Sequence, residues 1–117
     1  MENYVFVYGT LMKGYRNHHF LKDSLFLGEG YINDYFMFNV STYPGIQKSK
    51  YQSKVYGEVY KVSSSIEKEL DILEEVNYLY KKEVVDVFLD NCSVKAIAYV
   101  YILTDYTEEE LYKEYRY

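Results

Sequence analysis

The sequence predicts an α+β fold in which a small, mixed, barrel-like β-sheet of about six strands is flanked by two or three helices. Strand-like runs outnumber helical ones and do not alternate with them, as a doubly wound fold would require. The chain has 117 residues, enough for one hydrophobic core, so we expect a single domain over residues 1–117. Its 17 Tyr and 6 Phe suit strands and a polar-rimmed cavity.

Charge and composition argue against several classes of partner. A net charge of −5 and a pI near 5.0 would repel a phosphate backbone, so we expect no nucleic-acid partner. The start of the chain lacks a signal-peptide pattern, and nowhere do about 18 apolar residues run together, so we expect no membrane contact and a cytoplasmic location. Cys92 is the only cysteine, and with two histidines it makes a poor ligand set, so we expect neither a disulfide nor a metal.

The first half of the chain reads as strands separated by turns. Residues 3–8 form a β-favouring run that Gly9 ends abruptly. Residues 14–22 are polar and read as a loop or short helix, and residues 25–31 and 34–40 resemble two strands around Asn33.

The middle of the chain begins with a predicted turn at Tyr43-Pro44-Gly45. A strand with alternating side chains follows over residues 54–62. Gly57 lies inside it, which indicates a ligand, a crossing segment or, equally well, a bulge.

The clearest helix starts at Ser64-Ser65-Ile66-Glu67, which has capping-box spacing, and ends near Glu74 or Glu75. Residues 80–89 and 93–103 then predict a hairpin turning at Asp90-Asn91 and buried on both faces. A second capping box at Thr107 predicts a short C-terminal helix.

Periodicity separates the carboxylates of the first helix. We measure the angle of each side chain around the helix axis from Ile66. Glu74 then lies at about 80°, at the border of the apolar stripe, and Glu75 lies at about 180°, towards solvent. A carboxyl at that border is partly desolvated, which raises its pKa towards neutrality and allows proton transfer. Glu67 lies at a similar angle of about 100°. Periodicity alone therefore also allows Glu74 to be an ordinary residue at the border of the apolar stripe, without a catalytic role.

Three other features of the sequence are candidates for a functional role. The turn formed by Tyr8, Gly9, Thr10 and Leu11 could present backbone N–H groups to a carboxylate or oxyanion, although a glycine after a strand is weak evidence alone. His18 and His19 are adjacent and point different ways, which favours surface or packing roles. Cys92 lies beside a hairpin turn and reads as a structural residue.

Several segments, taken in order, resemble the γ-glutamylcyclotransferase-like family, in particular its γ-glutamylamine cyclotransferase and small bacterial stand-alone branch. Most of the chain takes part in this resemblance. The matching segments are residues 5–11, Asn17-His18, Tyr43-Pro44-Gly45, residues 55–60, residues 70–74 and Tyr80.

The resemblance implies a β-barrel flanked by helices and a cofactor-independent enzyme of the acyltransferase or lyase type that releases 5-oxoproline from a γ-glutamyl substrate. It implies that Glu74 is the general acid/base and that Tyr8, Gly9, Thr10 and Leu11 bind the substrate. Tyr80 occupies the family's tyrosine position and could orient the substrate or Glu74, with packing as the alternative.

Two residues depart from the family pattern: Glu75 replaces a frequent Gly, and Lys82 replaces a common Arg, which weakens bidentate recognition. Independently of these departures, two other functions stay open. One is a non-catalytic module that binds a small molecule or peptide on the same fold, and the other is removal of a γ-glutamyl protecting group within a biosynthetic pathway. The released amine and the oligomeric state are not determined by the sequence.

Overall fold

In the part of the chain that the structure describes, the fold combines two β-sheets with one α-helix. A computed structural model describes residues 2–40 and 43–103. Within them α1 spans Ser64–Leu73, and two short 3-10 turns span Gly9–Leu11 and His18–Leu21. The strands are β1 (Glu2–Val7), β2 (Leu25–Asn33), β3 (Tyr35–Asn39), β4 (Pro44–Lys48), β5 (Lys54–Ser63), β6 (Tyr80–Phe88) and β7 (Ser93–Tyr101). The helix predicted at Thr107 lies outside the described residues.

Five strands close into a barrel in the order β1-β5-β2-β6-β7, and β3 and β4 form a separate two-stranded sheet. β1 closes the barrel because it pairs antiparallel with β5 and, at Val5 and Ile97, parallel with β7. The predicted α+β class and barrel-like sheet are confirmed. None of the helices in the described part of the chain is long and apolar enough to span a membrane.

β1 lies between two hydrophobic cores because successive side chains of a strand point to opposite faces. Val5 and Val7 belong to the core that also contains Leu70 of α1. Phe6 and Tyr8 belong to the second core, together with residues of β2, β4, β5, β6 and β7. The end of β1 is therefore fixed on both sides, which positions the turn that follows it.

The predicted turn at Tyr43-Pro44-Gly45 is wrong. Pro44 is the first residue of β4 and pairs with Asn39 of β3, a position where the missing N–H of proline is tolerated. The turn lies earlier, where the Val40 amide donates to the Tyr43 carbonyl oxygen at 2.9 Å. The break between β2 and β3 is likewise at Asp34, which has φ of 66°, and not at Asn33.

Gly57 accommodates a crossing segment. A Cβ atom at this position would lie 2.2 Å from the carbonyl oxygen of Val7 in β1, so only glycine permits this approach. The irregularity in the β2–β5 pairing lies instead in β2, between Phe26 and Gly28.

α1 begins at Ser64 and ends at Leu73, which agrees with the prediction, but the N-cap lies one residue earlier than the capping-box spacing implies. Ser63 is the N-cap, and its hydroxyl accepts a hydrogen bond from the Ile66 amide at 3.3 Å. Glu74 is the C-cap. Glu75 follows with φ of 50°, and the Val76 amide bonds to the Asp71 carbonyl at 3.0 Å, which is a Schellman ending.

The predicted hairpin is confirmed as the antiparallel pair β6–β7, but burial on both faces is wrong for most of it. Val84, near the middle of β6, is 68% exposed. Barrel strands alternate between interior and exterior, so the outer face is buried only where another element covers it. Such cover exists at the end of β7, where β4 packs and residues 98–101 are all buried.

Candidate active site

A cavity opens where the end of β1, the end of α1 and the start of β4 meet. It is narrow, with a volume of about 20 Å³, and it opens to solvent. One wall comes from β1 and the turn after it, through Phe6, Val7, Tyr8, Thr10 and Leu11. The remaining walls come from Tyr43, Pro44, Glu74 and Tyr99.

Glu74 supplies the carboxyl group of this cavity. Its backbone caps α1, so the side chain leaves the helix where the chain turns towards β6. Burial raises the pKa of Glu74 from its ordinary value of 4.5 to about 7. Among the ion pairs of residues 2–40 and 43–103, none involves Glu74, so no cation bonded to this carboxyl group offsets the effect of burial.

Glu67, the other border carboxylate of α1, has a different environment. Its Oε2 atom lies 2.7 Å from Lys82 Nζ, and its Oε1 atom accepts a hydrogen bond from Asn3 Nδ2 at 2.7 Å. Burial acts to raise the pKa of Glu67, but the hydrogen bonds from Lys82 and Asn3 outweigh it and lower the pKa. The helical angle could not separate Glu67 from Glu74, whereas their partners do.

The turn after β1 depends on Gly9. Gly9 has φ of 69°, and a Cβ atom there would lie 2.2 Å from Pro44 Cγ. The 3-10 geometry of Gly9–Leu11 leaves its first N–H groups without partners inside the turn. A polar substrate group in the cavity could take up these donors.

Residues further along the chain hold this turn in place. The Asn17 side chain donates to Thr10 Oγ1 at 2.9 Å, and the backbone N–H of Asn17 donates to the Thr10 carbonyl oxygen at 2.9 Å. His18 Nδ1 lies 3.0 Å from the Leu11 carbonyl oxygen. Glu58 Oε1 accepts from the Lys13 amide at 3.0 Å. The turn is therefore fixed from both sides and is not a free loop.

The two tyrosines proposed for the site occupy different positions. Tyr8 lines the cavity, and burial, with Tyr80 and Glu74 nearby, raises the pKa of Tyr8 well above its ordinary value. Tyr80 is buried behind the wall, where its hydroxyl donates to the Pro44 carbonyl at 2.7 Å. The cavity lining includes Pro44 but not Tyr80.

Sequence reasoning missed Tyr99 and Asp71. Tyr99 lines the cavity, and its hydroxyl donates to Asp71 Oδ1 at 2.8 Å. Asp71 precedes Glu74 by three residues, a spacing that places both on one side of a helix and that could have drawn attention to it. Tyr99 carries no such signal, since it is one of 17 tyrosines.

The other candidates lie elsewhere. Glu75 is exposed, His19 Nδ1 lies 3.1 Å from the Arg16 carbonyl oxygen on the surface, and Cys92 is an exposed thiol beside the β6–β7 turn. The cavity thus combines one carboxyl group of near-neutral pKa, backbone donors and tyrosine side chains. Such a set can accept and return a proton next to a polarised carbonyl group.

Comparisons with known proteins agree with this architecture. Residues 5–117 match the family model described as gamma-glutamyl cyclotransferase, AIG2-like. A curated protein from Methanocaldococcus jannaschii, provisionally named a gamma-glutamylcyclotransferase, is 35% identical over 97% of this chain and 98% of its own length. A gamma-glutamylcyclotransferase family protein from Escherichia coli K12 is 30% identical over 69% of this chain and 70% of its own length.

Solved structures show the same fold. The crystal structure of an AIG2-like protein from Mus musculus superposes with a TM-score of 0.78 at 25% identity, covering 92% of this chain and 81% of the mouse chain. The family model spans nearly the whole chain, and the relatives align over most of their own lengths. The chain therefore belongs to the gamma-glutamyl cyclotransferase, AIG2-like family.

Proposed function

We propose that this protein cyclises the γ-glutamyl group of a small γ-glutamyl amine or peptide to 5-oxoproline and releases the free amine, with Glu74 as general acid/base. The observation that carries the proposal is the carboxyl group of Glu74. It lines the same cavity as Tyr8, Thr10 and Leu11, and burial raises its pKa to about 7. A carboxyl of that pKa both accepts and returns protons near neutral pH.

The reaction begins at the α-amino group of the substrate, which is largely protonated near neutral pH. Glu74 accepts one proton from the α-ammonium, and the freed nitrogen lone pair attacks the γ-carbonyl carbon of the same molecule. As the tetrahedral intermediate collapses, the bond from this carbon to the leaving nitrogen breaks. Glu74 returns its proton to that nitrogen, and the ring nitrogen releases its surplus proton to water.

The turn after β1 is assigned to the carbonyl oxygen. Its N–H groups would donate to the charge that develops on this oxygen in the transition state. Gly9 allows the turn to approach Pro44, and Asn17 holds Thr10, so the donors are oriented before the substrate binds. Such preorganisation requires no rearrangement during the reaction.

Confinement of the substrate supplies further acceleration. Ring closure needs the extended γ-glutamyl arm to fold so that its nitrogen approaches its own carbonyl carbon. Ideal orientation of reacting groups is worth about 7–11 kcal/mol, and fixing this flexible arm would contribute part of that. The cavity lies beside both Glu74 and the turn after β1, so a γ-glutamyl group held there would contact both, while the amine would extend outward.

The test is release of 5-oxoproline from a panel of γ-glutamyl amines and dipeptides. We expect turnover by the native protein on at least one substrate, and its loss in Glu74→Gln, which keeps the side-chain shape but cannot accept the proton. Glu75→Gln is the matched control, because it makes the same change at an exposed neighbour, and it should retain activity. A fully active Glu74→Gln variant would contradict the assignment of Glu74.

Absence of turnover on every substrate would instead support the alternative, a non-catalytic binding module. In that case substrate affinity, measured by calorimetry, should persist in both the native protein and the Glu74→Gln variant. The cytoplasmic location and the independence of cofactors stay predictions of the sequence.

A further inference from the structure

Lys82 of β6 joins two acidic residues of α1. Its Nζ atom lies 2.7 Å from Glu67 Oε2 and 2.9 Å from Asp71 Oδ2. The other oxygen of Glu67 accepts from Asn3 of β1. One ammonium group is thus shared between two carboxylates at the junction of three elements, and all its charge is directed to residues that lie outside the cavity lining.

Asp71 connects Lys82 to the cavity. While Oδ2 bonds to Lys82, Oδ1 accepts the hydrogen bond of the Tyr99 hydroxyl at 2.8 Å. Tyr99 and Glu74 both line the cavity, and Asp71 lies one helical turn before Glu74. A continuous path of hydrogen bonds therefore runs from Lys82 through Asp71 to a side chain in the cavity wall.

Building on the proposed function, we propose that Lys82 is a positioning residue of this site. It fixes Asp71, and through Asp71 the Tyr99 hydroxyl, and its ammonium group acts on Glu74 only from a distance, without bonding to it. Without Lys82, two carboxylates of α1 would be left without their shared cation close to a third. With Lys82 directed at Glu74 instead, the Glu74 carboxylate would be held ionised and would be a weaker base.

The groups that face Glu74 come from several elements. Tyr8 approaches from the end of β1 and Tyr99 from β7, and both interact electrostatically with it. Tyr80 of β6 lies near Tyr8. On α1 itself, Asp71 and Glu67 precede Glu74 by one and two turns.

The nearby 3-10 turn His18–Leu21 contributes His18, whose Nδ1 atom lies 3.0 Å from the Leu11 carbonyl oxygen. Among these elements in the described chain, Lys82 is the one cation that we find bonded to the acidic residues around Glu74. Removal of the Lys82 charge and removal of the Asp71 charge should therefore shift the pKa of Glu74 in opposite directions.

The experiment follows the ionisation of Glu74 directly, by the pH dependence of its side-chain carboxyl ¹³C shift, with the resonance identified by its loss in Glu74→Gln. Lys82→Met removes a positive charge and should move the midpoint to higher pH by roughly 0.5 unit. Asp71→Asn removes a negative charge and keeps an oxygen for Tyr99, so it should move the midpoint to lower pH by a similar amount. Lys82→Arg keeps the charge and should leave it in place.

The same variants give a second readout in turnover. The acidic limb of the pH profile of kcat/KM reports ionisation in the free enzyme and should shift in parallel with the NMR midpoint. Lys95→Met and Asp86→Asn are matched controls. They make the same charge changes in an exposed ion pair of 2.8 Å on the β6–β7 hairpin, and they should move neither midpoint nor limb.

Opposite shifts for Lys82→Met and Asp71→Asn, with retention in Lys82→Arg, would support the inference. No shift in folded variants, or shifts of the same sign, would overturn it. Because the NMR titration needs no turnover, a protein that is inactive on every substrate but shows opposite shifts would overturn the proposed reaction and not the role of Lys82. Circular dichroism confirms that each variant is folded.

Discussion

The Tyr8 hydroxyl donates a hydrogen bond to the backbone carbonyl of Tyr99. This bond joins the residue after β1 to the C-terminal part of β7 within a buried part of the structure, and both residues line the cavity. Because burial raises the pKa of Tyr8 well above its ordinary value, its hydroxyl stays protonated and remains a donor across the physiological range. The turn after β1 is thereby tied to the barrel by a hydrogen bond whose donor stays protonated at physiological pH.

Tyr8→Phe should therefore lower both stability and turnover. The substitution leaves a buried carbonyl without its donor, which costs about 1–3 kcal/mol, and it releases one end of the turn. Urea denaturation measures the first effect and 5-oxoproline release the second. Tyr56→Phe removes the same atom from a residue that is 67% exposed, and its effect on stability should stay within about 0.5 kcal/mol.

Glu74→Gln should stabilise the protein at alkaline pH. A carboxyl whose pKa is higher in the folded than in the unfolded chain destabilises the folded state as pH rises from about 4.5 to about 7. The full cost, on the order of 3 kcal/mol, is present above that range and absent below it. Gln does not ionise, so the variant avoids this cost.

The measurement is the free energy of unfolding of the native protein and the variant at about pH 4, 6 and 8, which span the transition. The difference should grow in favour of Glu74→Gln as pH rises. Glu75→Gln, measured in parallel, reports what neutralising an exposed carboxylate of the same helix end does. A pH-independent difference for Glu74→Gln would show that burial does not perturb this carboxyl.

Gly9→Ala should impair the site more than it impairs the fold. The new Cβ atom would meet Pro44 Cγ at 2.2 Å and would occupy a backbone conformation with φ of 69°, so the turn must move away from the cavity wall. We expect kcat/KM to fall at least about tenfold, which corresponds to about 1.4 kcal/mol of lost transition-state stabilisation.

Gly14→Ala is the control for this change. Gly14 has φ of 85°, but an added Cβ atom there meets nothing within 4 Å. It therefore shares the backbone penalty of about 1–2 kcal/mol without the collision. Equal losses of activity in the two variants would mean that backbone strain, and not contact with Pro44, explains the effect.

Glu75→Gly should stabilise the helix end without loss of activity. Glu75 occupies the left-handed position of the Schellman ending with φ of 50°, where a side chain costs about 1 kcal/mol relative to glycine. Thermal unfolding should show a higher Tm for Glu75→Gly. Glu75→Ala also removes the charge but keeps Cβ, so a similar gain in that variant would assign the effect to charge and not to conformation.

The elements that the sequence predicted well are those with local signals. The strand over Lys54–Ser63 alternates, and the end of α1 is set by where its apolar periodicity stops. The prediction of a turn at Pro44 is wrong because a proline next to a glycine is typical of a turn. Its place at the start of β4 depends on pairing with Asn39, which is a long-range contact that no local pattern encodes.

In the candidate site, too, some features follow from local sequence and others depend on long-range contacts. The sequence by itself determined which groups exist and roughly where they lie on their elements: a glycine that ends the first strand, and a carboxylate at the border of the apolar stripe of α1. Only the tertiary structure decided which border carboxylate would be paired. Lys82 comes from β6, 15 residues from Glu67, and packing against β1 and β7 buries Glu74 without a cation. Ionisation depends on solvent exclusion and on charges brought together by folding, so the chemistry of Glu74 is a property of the closed barrel and not of the helix that carries it.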